Sequence, residues 1–541
     1  MKIIKNSTLA IAIVSAGLMI TSCIDEVEPT SSVSQDQLDS SVSAGSAAIY
    51  AMPGYMPNFD TSGYYPGSTS HVDFGYSSFM HVRDCMTGDM CKPYIGLNRY
   101  ALWTECYVTD NLALTQLIWN YYYKQILSTN IAARSYDPES DNEVARACRA
   151  VAVAYRAMLY LDLARWYEFL PNDKTSSITN EGNDVLNLTV PIVTEETTEE
   201  DARNNPRAKR EEMFEFIKKD LEYAEQNIAA SPYVGDKTLP DLACVYGLMA
   251  RLYMWVENYP KAAEYADKAI GASSCSPMNE TAWTDPVSGF NTLSNRAWMW
   301  GMTFAKENDA VQTGICNWTS MLSAEADYGY AGAGATCSID KSMYERLSNT
   351  DFRKLSWSAP AGSPLADKVS YCNPDVRSNA RNTYVGVKFR PGEGNYADFT
   401  AGSSVAVPLM RIEEMYFTKF EAEAHVSSTI SDFVQWMKDN RDPQYTTTAA
   451  SKDEMVEEIV FQKRIEFWGE GLALFDIKRL NYSVTRAYEG TNWDGQVRYN
   501  TNGRPAWMNM IIIRSEGNNN KAIQGWNNPN VADIYTPISG I

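Results

Sequence analysis

The stretch 457–480, EEIVFQKRIEFWGEGLALFDIKRL, constrains this chain more than any other. Its apolar residues, among them Ile459, Val460, Ile465, Phe467, Trp468, Leu472, Leu474, Phe475 and Leu480, suffice for two short helices, with Gly469 and Gly471 breaking them apart. Set into this apolar segment are Arg464, Glu466, Glu470, Asp476 and Arg479. Charges drawn into a helix junction persist only when they pair with each other or cap backbone groups, so the stretch predicts a partly buried ion-pair knot that fixes the turn.

Helical spacing recurs along the chain. Residues 119–134, WNYYYKQILSTNIAAR, read as a helix with its aromatics facing inward. A second helix runs over 145–169, with Cys148, Val151, Tyr155, Leu159, Leu163 and Trp166 on one face and Pro171 stopping it. Residues 172–205 are a polar excursion before a partner helix at 210–229. In 242–272, Met249, Ala250, Tyr253, Ala262 and Ala269 fall on the spacing of a tetratricopeptide repeat, and Glu257-Asn258-Tyr259-Pro260 makes the turn. A third pair is drawn from a helix at 408–425 and one starting near Ser431; the opening stretch supplies the fourth. The fold class is therefore mostly α: helix pairs form a scaffold over about 119–272 and 408–480, interrupted by long irregular insertions.

Two regions resist a helical reading, 52–109 and 273–407. Both are rich in Gly, Pro, Ser and aromatics. Flat rings present an apolar face to the C–H face of a sugar, while neighbouring Arg, Asp and Asn hydrogen-bond its hydroxyls. The plainer alternative is that most of these rings are core of irregular lobes, because Trp and Tyr are largely buried on average.

At the start of the chain, Lys2 and Lys5 precede an apolar run over 9–20 that ends in Ile20-Thr21-Ser22-Cys23. The run is too short for a stable membrane span, and its ending is that of a lipoprotein signal peptide over 1–22, with Cys23 acylated. Residues 23–46, acidic and then rich in Ser, Asp and Gln, read as a flexible tether. The remainder, 47–541, is read as one unit. With 67 acidic against 47 basic residues the net charge is -20, which repels phosphate backbones and disfavours nucleic acid as a partner. Nine cysteines besides Cys23 lack any zinc-type spacing. Cys148 and Cys244 read as core thiols, and Cys85 and Cys91 share a loop as a candidate pair. The three histidines, His71, His81 and His425, stand in no metal-ligand spacing and beside no nucleophile motif. Glu413, Glu414, Glu421 and Glu423 read as a solvated or ion-paired helix face rather than as acid/base catalysts. The chain is thus expected to be no enzyme and to need no cofactor or metal.

The pattern R-x-E-[aromatic]-x-x-E-G-x-x-x-F-D-[aliphatic]-x-R at 464–479 resembles the C-terminal signature of the SusD/RagB family of Bacteroidetes nutrient-binding lipoproteins. It departs from that family at Ala473, where an Arg is usual, and at Lys463, where an acidic residue is usual. The spacing Trp119, Tyr123, Ile126, Asn130, the D-L-A-R-W-Y run at 162–167 and the closing Glu516, Asn520, Ile523 segment resemble further family motifs. The resemblance implies a SusD-like superhelix whose ligand surface is built from the two loop regions. It points to Tyr64, Tyr65, Arg83, Trp283, Trp298, Trp300, Tyr328 and Tyr330 as ligand-binding candidates. It further implies an outer-membrane, surface-exposed lipoprotein, anchored through Cys23, that captures oligosaccharides for a SusC-like TonB-dependent transporter and acts as its lid. An oligopeptide cargo, a surface glycoside hydrolase and a purely structural envelope protein are the alternatives.

Overall fold

The computed structural model describes residues 42–58, 71–92, 108–378 and 383–541. The signal peptide, Cys23 and most of the expected tether lie outside the described residues. Helix α1, Val42–Tyr55, begins inside the stretch read as tether and extends into the one read as loop. Its Ile49 and Met52, with Met56 just beyond, are fully buried. Gln125 Nε2 donates to Met52 O at 2.9 Å and the Tyr121 hydroxyl to Met56 O at 3.0 Å, so tertiary contacts rather than local pattern hold this helix in place. A second unpredicted helix, α2 at Tyr76–Cys85, is buried along its whole length.

The scaffold follows the sequence reading closely. Helices α3 (Ala113–Arg134), α4 (Glu143–Tyr167), α5 (Arg210–Asn227), α6 (Leu242–Trp255) and α7 (Tyr259–Ala272) stack in chain order. Side chains at the junctions define their starts. Asn142 accepts from Val144 N at 2.9 Å to open α4, and Asp241 accepts from Cys244 N at 3.0 Å to open α6. Glu257 takes φ 60° at the turn before Pro260, which sits in the first turn of α7. Ala262 of α7 packs against Met254 and against Ala422 of α8 (Ile412–Ala424), so α7 stacks on α8 across the long insertion. Helices α9 (Ser431–Asn440), α10 (Lys452–Glu466) and α11 (Ala473–Arg479) complete the array.

One expected helix starts late. Residues 408–411 are not helical: with Ala406 and Val407 they form β4 (Ala406–Arg411), antiparallel to β2 (Trp298–Thr303). Pro408 stands opposite Gly301. Pro lacks the N–H a helix interior needs, and a strand residue facing a glycine tolerates that loss. The other strand pair, β1 (Met90–Cys91) with β3 (Ser338–Ile339), ties the two loop regions together. Among the described residues no two cysteines are bonded to each other. Cys85 closes α2 and Cys91 lies in β1, both buried as separate thiols, so the candidate pair does not form. Cys148 and Cys244 are core thiols as expected.

The ion-pair knot is present, and it is larger and drier than the stretch alone implies. Glu466 has no exposed surface and accepts from Arg441 Nε at 2.8 Å, Arg353 Nη1 at 3.3 Å and Arg411 Nη1 at 3.3 Å. Glu470 accepts from Arg411 Nε at 2.9 Å and Lys388 Nζ at 2.7 Å. Arg464 reaches out of the stretch to Asp89, at 2.9 Å from Nε. Only Asp476 is paired from within, by Lys463 at 2.8 Å and Arg479 at 3.1 Å. Lys463, a departure from the family pattern, thereby gains a role, bridging Asp476 and Glu421 of α8. Glu413, Glu414 and Glu421 are buried and ion-paired rather than solvated.

Candidate functional site

Outside the scaffold, the loop lobe is organised by a buried carboxylate. Glu325 has no exposed surface, and it accepts from Arg390 Nη1 at 2.5 Å, Cys372 N at 2.6 Å and Asn373 N at 3.3 Å. A buried charge demands such donors, so three chain segments far apart in sequence are drawn to one point. Upstream, Asn317 caps a short helix, Trp318–Leu322, by accepting from Ser320 N at 2.9 Å. The Ser320 hydroxyl in turn accepts from Tyr330 N at 2.9 Å and donates to Ile315 O at 2.7 Å. That bond seats the one-turn helix Gly329–Gly332 against the lobe.

The rim so formed mixes rings and polar groups. The Tyr330 hydroxyl and His71 Nδ1 are 2.6 Å apart, with ring centroids 5.9 Å apart at 82°. Tyr328 meets Phe399 edge to face at 6.4 Å. Asp327 is exposed, accepts from Asn373 Nδ2 at 2.8 Å and donates its N–H to Tyr396 O at 2.9 Å. Burial pushes the Tyr328 phenol above its ordinary value, against the smaller opposing effect of the Ser403 and Thr319 hydroxyls beside it. Such an arrangement offers ring edges and an exposed carboxylate, groups that hold a polyhydroxylated molecule by contact and hydrogen bonding.

Of the candidates from sequence, Tyr328 and Tyr330 are brought together on this rim, though only 9% and 8% exposed. Tyr64 and Tyr65 lie outside the described residues. The chain on either side of them is fixed to the same lobe, by Asn58 accepting from Asn308 Nδ2 at 3.4 Å and by His71 on Tyr330.

The other four candidates lie in the interior. Trp283 is 2% exposed and roofs the knot, with Lys388, Arg411 and Arg441 at 5.4, 5.7 and 5.3 Å from its ring and its Nε1 donating to Ser356 Oγ at 2.7 Å. Trp298 and Trp300 lie in β2 with no exposed surface, and Trp300 packs at 4.8 Å and 87° against Tyr155 of α4. Arg83 is buried in α2 and paired with Asp162 of α4 at 2.8 Å. None of the four has a face open to a ligand. Their chemistry suits a sugar platform equally well as an interior, and only the fold separates the two uses.

The Arg83–Asp162 pair carries a pH prediction. Burial acts to raise the Asp162 carboxyl, but Arg83 and Arg165 outweigh it and hold the group down at about 2, against 3.8 in an unperturbed chain. A lowered carboxylate stabilises the fold above the unfolded value and loses that contribution as pH falls through the folded one. We expect the stability gap between the native protein and Asp162→Asn to narrow by about 2 kcal/mol between pH 4 and pH 2. Urea unfolding of both proteins across that range measures it, and a gap that stays constant refutes it.

Among the described residues no three His, Cys, Asp or Glu side chains gather as a metal site requires. His425 stacks on Tyr259 at 3.7 Å and 7°, and His81 is buried against Cys85 at 3.7 Å. One surface feature was given no part in binding by sequence reasoning: a cleft of about 740 Å³ between the excursion around Thr175–Glu181 and the C-terminal tail. Elsewhere on the tail, Asn520 donates to Asn205 O at 2.6 Å and accepts from Asn205 N at 3.0 Å.

Comparison with known proteins matches two stretches of the chain, on either side of the rim segment 317–332. Residues 78–254 match the family profile described as "Starch-binding associating with outer membrane", and residues 365–539 match that of the SusD family. No curated protein matches the chain. The fold is similar to that of a SusD-like carbohydrate binding protein from Bacteroides vulgatus at 21% identity and TM-score 0.67, covering 92% of this chain and 98% of the other. It is similar also to a SusD superfamily protein from Bacteroides thetaiotaomicron, at 16% identity and TM-score 0.67, covering 92% and 100%. A laminarin binding SusD-like protein matches at 15% identity and TM-score 0.62, covering 90% and 98%.

Proposed function

Since the chain belongs to the SusD/RagB family, we propose that it is a cell-surface glycan-binding lipoprotein that captures oligosaccharides and delivers them to a SusC-like TonB-dependent transporter. The observation that carries this reading is the loop-lobe rim, where Tyr328, Tyr330 and Phe399 stand beside the exposed Asp327 on a network fixed by Glu325. Tyr64 and Tyr65, which the family resemblance offers as ligand-binding residues, are the first pair to be tested. The stacked helices supply a broad rigid surface for the transporter, so that docking and ligand capture use different parts of one body. The laminarin binding of one similar protein supports a glucan among the cargoes to be tried first.

Isothermal titration against laminarin oligosaccharides and a panel of plant, host and fungal glycans tests the reading. We expect saturable heat with at least one glycan, and affinity lowered about tenfold when Tyr64 and Tyr65 are both replaced by Ala, from the ~0.5–1.5 kcal/mol that each aromatic contact contributes. Silence across the panel overturns it. The membrane anchor is tested separately. Cys23→Ser is expected to move the protein from the outer-membrane fraction to the soluble one, because an acyl chain contributes ~0.8 kcal/mol per buried methylene. Retention of the variant in the membrane fraction removes Cys23 as the anchor.

A further inference from the structure

The scaffold holds a small, partly open cavity of about 40 Å³ where α4, α5, α6, α8, α10 and α11 converge, and no residue of the loop lobe lines it. Its wall is unusual in charge. Arg165, Arg210, Arg251, Lys463, Lys478 and Arg479 face three carboxylates, Glu168, Glu414 and Asp476. Behind the wall, Glu421 pairs with Lys463 and Arg479, and Asp162 pairs with Arg165 but also with Arg83. Cations therefore still outnumber carboxylates, in a chain whose net charge is -20.

Lys478 lies among these groups on backbone oxygens alone. Its Nζ donates to Trp166 O at 2.9 Å and Glu168 O at 2.6 Å and makes no carboxylate hydrogen bond. Burial, and then the charges of Arg504, Arg207 and Arg210, hold it well below the ordinary lysine value despite the pull of Glu168. Arg165 is lowered too, by burial and then by Arg251 and Arg83, against the pull of Asp162.

Three guanidinium groups on the wall are fixed but incompletely used. Arg165 donates from Nε to Leu161 O at 3.2 Å and from Nη2 to Asp162 at 2.8 Å. Arg251 donates from Nε and Nη2 to Glu414, each at 2.6 Å. Arg210 donates from Nη2 to Trp255 O at 2.5 Å, while its Nε stands 3.2 Å from Glu168 Oε1 in a geometry that leaves both atoms without a hydrogen bond. In each of the three, Nη1 has no acceptor among the described residues. Arg479, by contrast, is engaged by Glu421, Asp476 and the Tyr259 phenol.

We propose that this cavity binds one small inorganic oxyanion of the phosphate or sulfate class, held by Arg165, Arg210 and Arg251. The space is about three times the ~10–15 Å³ that one water requires, which suits a tetrahedral oxyanion and is too small for a sugar ring. Guanidinium forks match such an anion, and a buried surplus of positive charge is stabilised by a counter-anion of fixed position. The ion locks the junction of the early helices to the 457–480 stretch, a role separate from ligand capture on the loop lobe.

Crystals of the mature protein soaked in selenate, read by anomalous diffraction, test the site directly. We expect one ordered peak within hydrogen-bond distance of the Arg165, Arg210 and Arg251 guanidinium groups. Titration calorimetry with inorganic phosphate at constant ionic strength is expected to give one saturable site, weakened about tenfold or more in Arg210→Gln, as the loss of one charged hydrogen bond implies. Arg514→Gln, remote and exposed, should leave it unchanged. An empty cavity in the selenate map overturns the proposal without recourse to any variant. So does phosphate binding that Arg210→Gln, confirmed as folded by circular dichroism, leaves intact.

Discussion

Glu466→Gln is expected to lower the stability of the fold by about 3–5 kcal/mol, the range for removing one partner from a buried charge cluster. The substitution keeps size and shape but withdraws the charge that three guanidinium groups share. Arg353, Arg411 and Arg441 are essentially without exposed surface, so none of them turns to water for compensation. Burial acts to raise the Glu466 carboxyl, yet Arg441, Arg411 and Arg353 hold it far below the ordinary carboxylate range. Urea unfolding followed by tryptophan fluorescence reads the effect, since Trp283 and Trp468 lie at the knot. The control is Arg514→Gln, whose pair with Asp110 is 60% and 28% exposed, for which under about 1 kcal/mol is expected. Equal losses in the two variants would mean that burial of the knot does not set its energetics.

Gly471→Ala should cost about 3 kcal/mol, combining a left-handed backbone with a steric conflict. Gly471 takes φ 71°, and a Cβ there would stand 2.7 Å from Met80 Cα and 2.9 Å from Met80 O. These are atoms of α2 and cannot swing away as a side-chain tip does. The same residue donates its N–H to Asp84 Oδ2 at 3.0 Å, so displacing the turn also strips a buried carboxyl of a partner. Gly182→Ala separates the two contributions: its φ is 85° but nothing lies within 4 Å of the added Cβ, and ~1–2 kcal/mol is expected from backbone strain alone. Midpoints of thermal unfolding for the two variants make the comparison, and indistinguishable values would remove the α2 contact as the cause.

Much of the scaffold was legible because a helix is a local object. The faces of α3 to α7, the turn at Glu257 and the break at Gly469 and Gly471 depend on residues a few positions apart, and the structure has them where the spacing implies. Helix α1 was missed for the opposite reason: Ile49 and Met52 are buried by α3, some 70 residues on, and its own sequence resembles a small-residue linker. The strand at Ala406–Arg411 was missed because its partner, Trp298–Thr303, lies a hundred residues earlier.

The candidate site shows the same division more sharply. Its aromatic composition was visible, and Tyr328 and Tyr330 do meet on the rim. Trp283, Trp298 and Trp300 belong to the interior, as their indole rings pack on cations, strands and Tyr155 that no nearby sequence announces.

Alone, then, the order of residues determined that the chain builds paired helices, that a charged apolar stretch near its end must be neutralised by ion pairs, and that its acidity disfavours nucleic acid. Tertiary structure alone decided which cations neutralise Glu466 and Glu470, which rings are covered, and that a positively charged hollow remains inside the helical array. Periodicity is set by neighbours along the chain, whereas burial and charge pairing are set by groups that become neighbours only on folding.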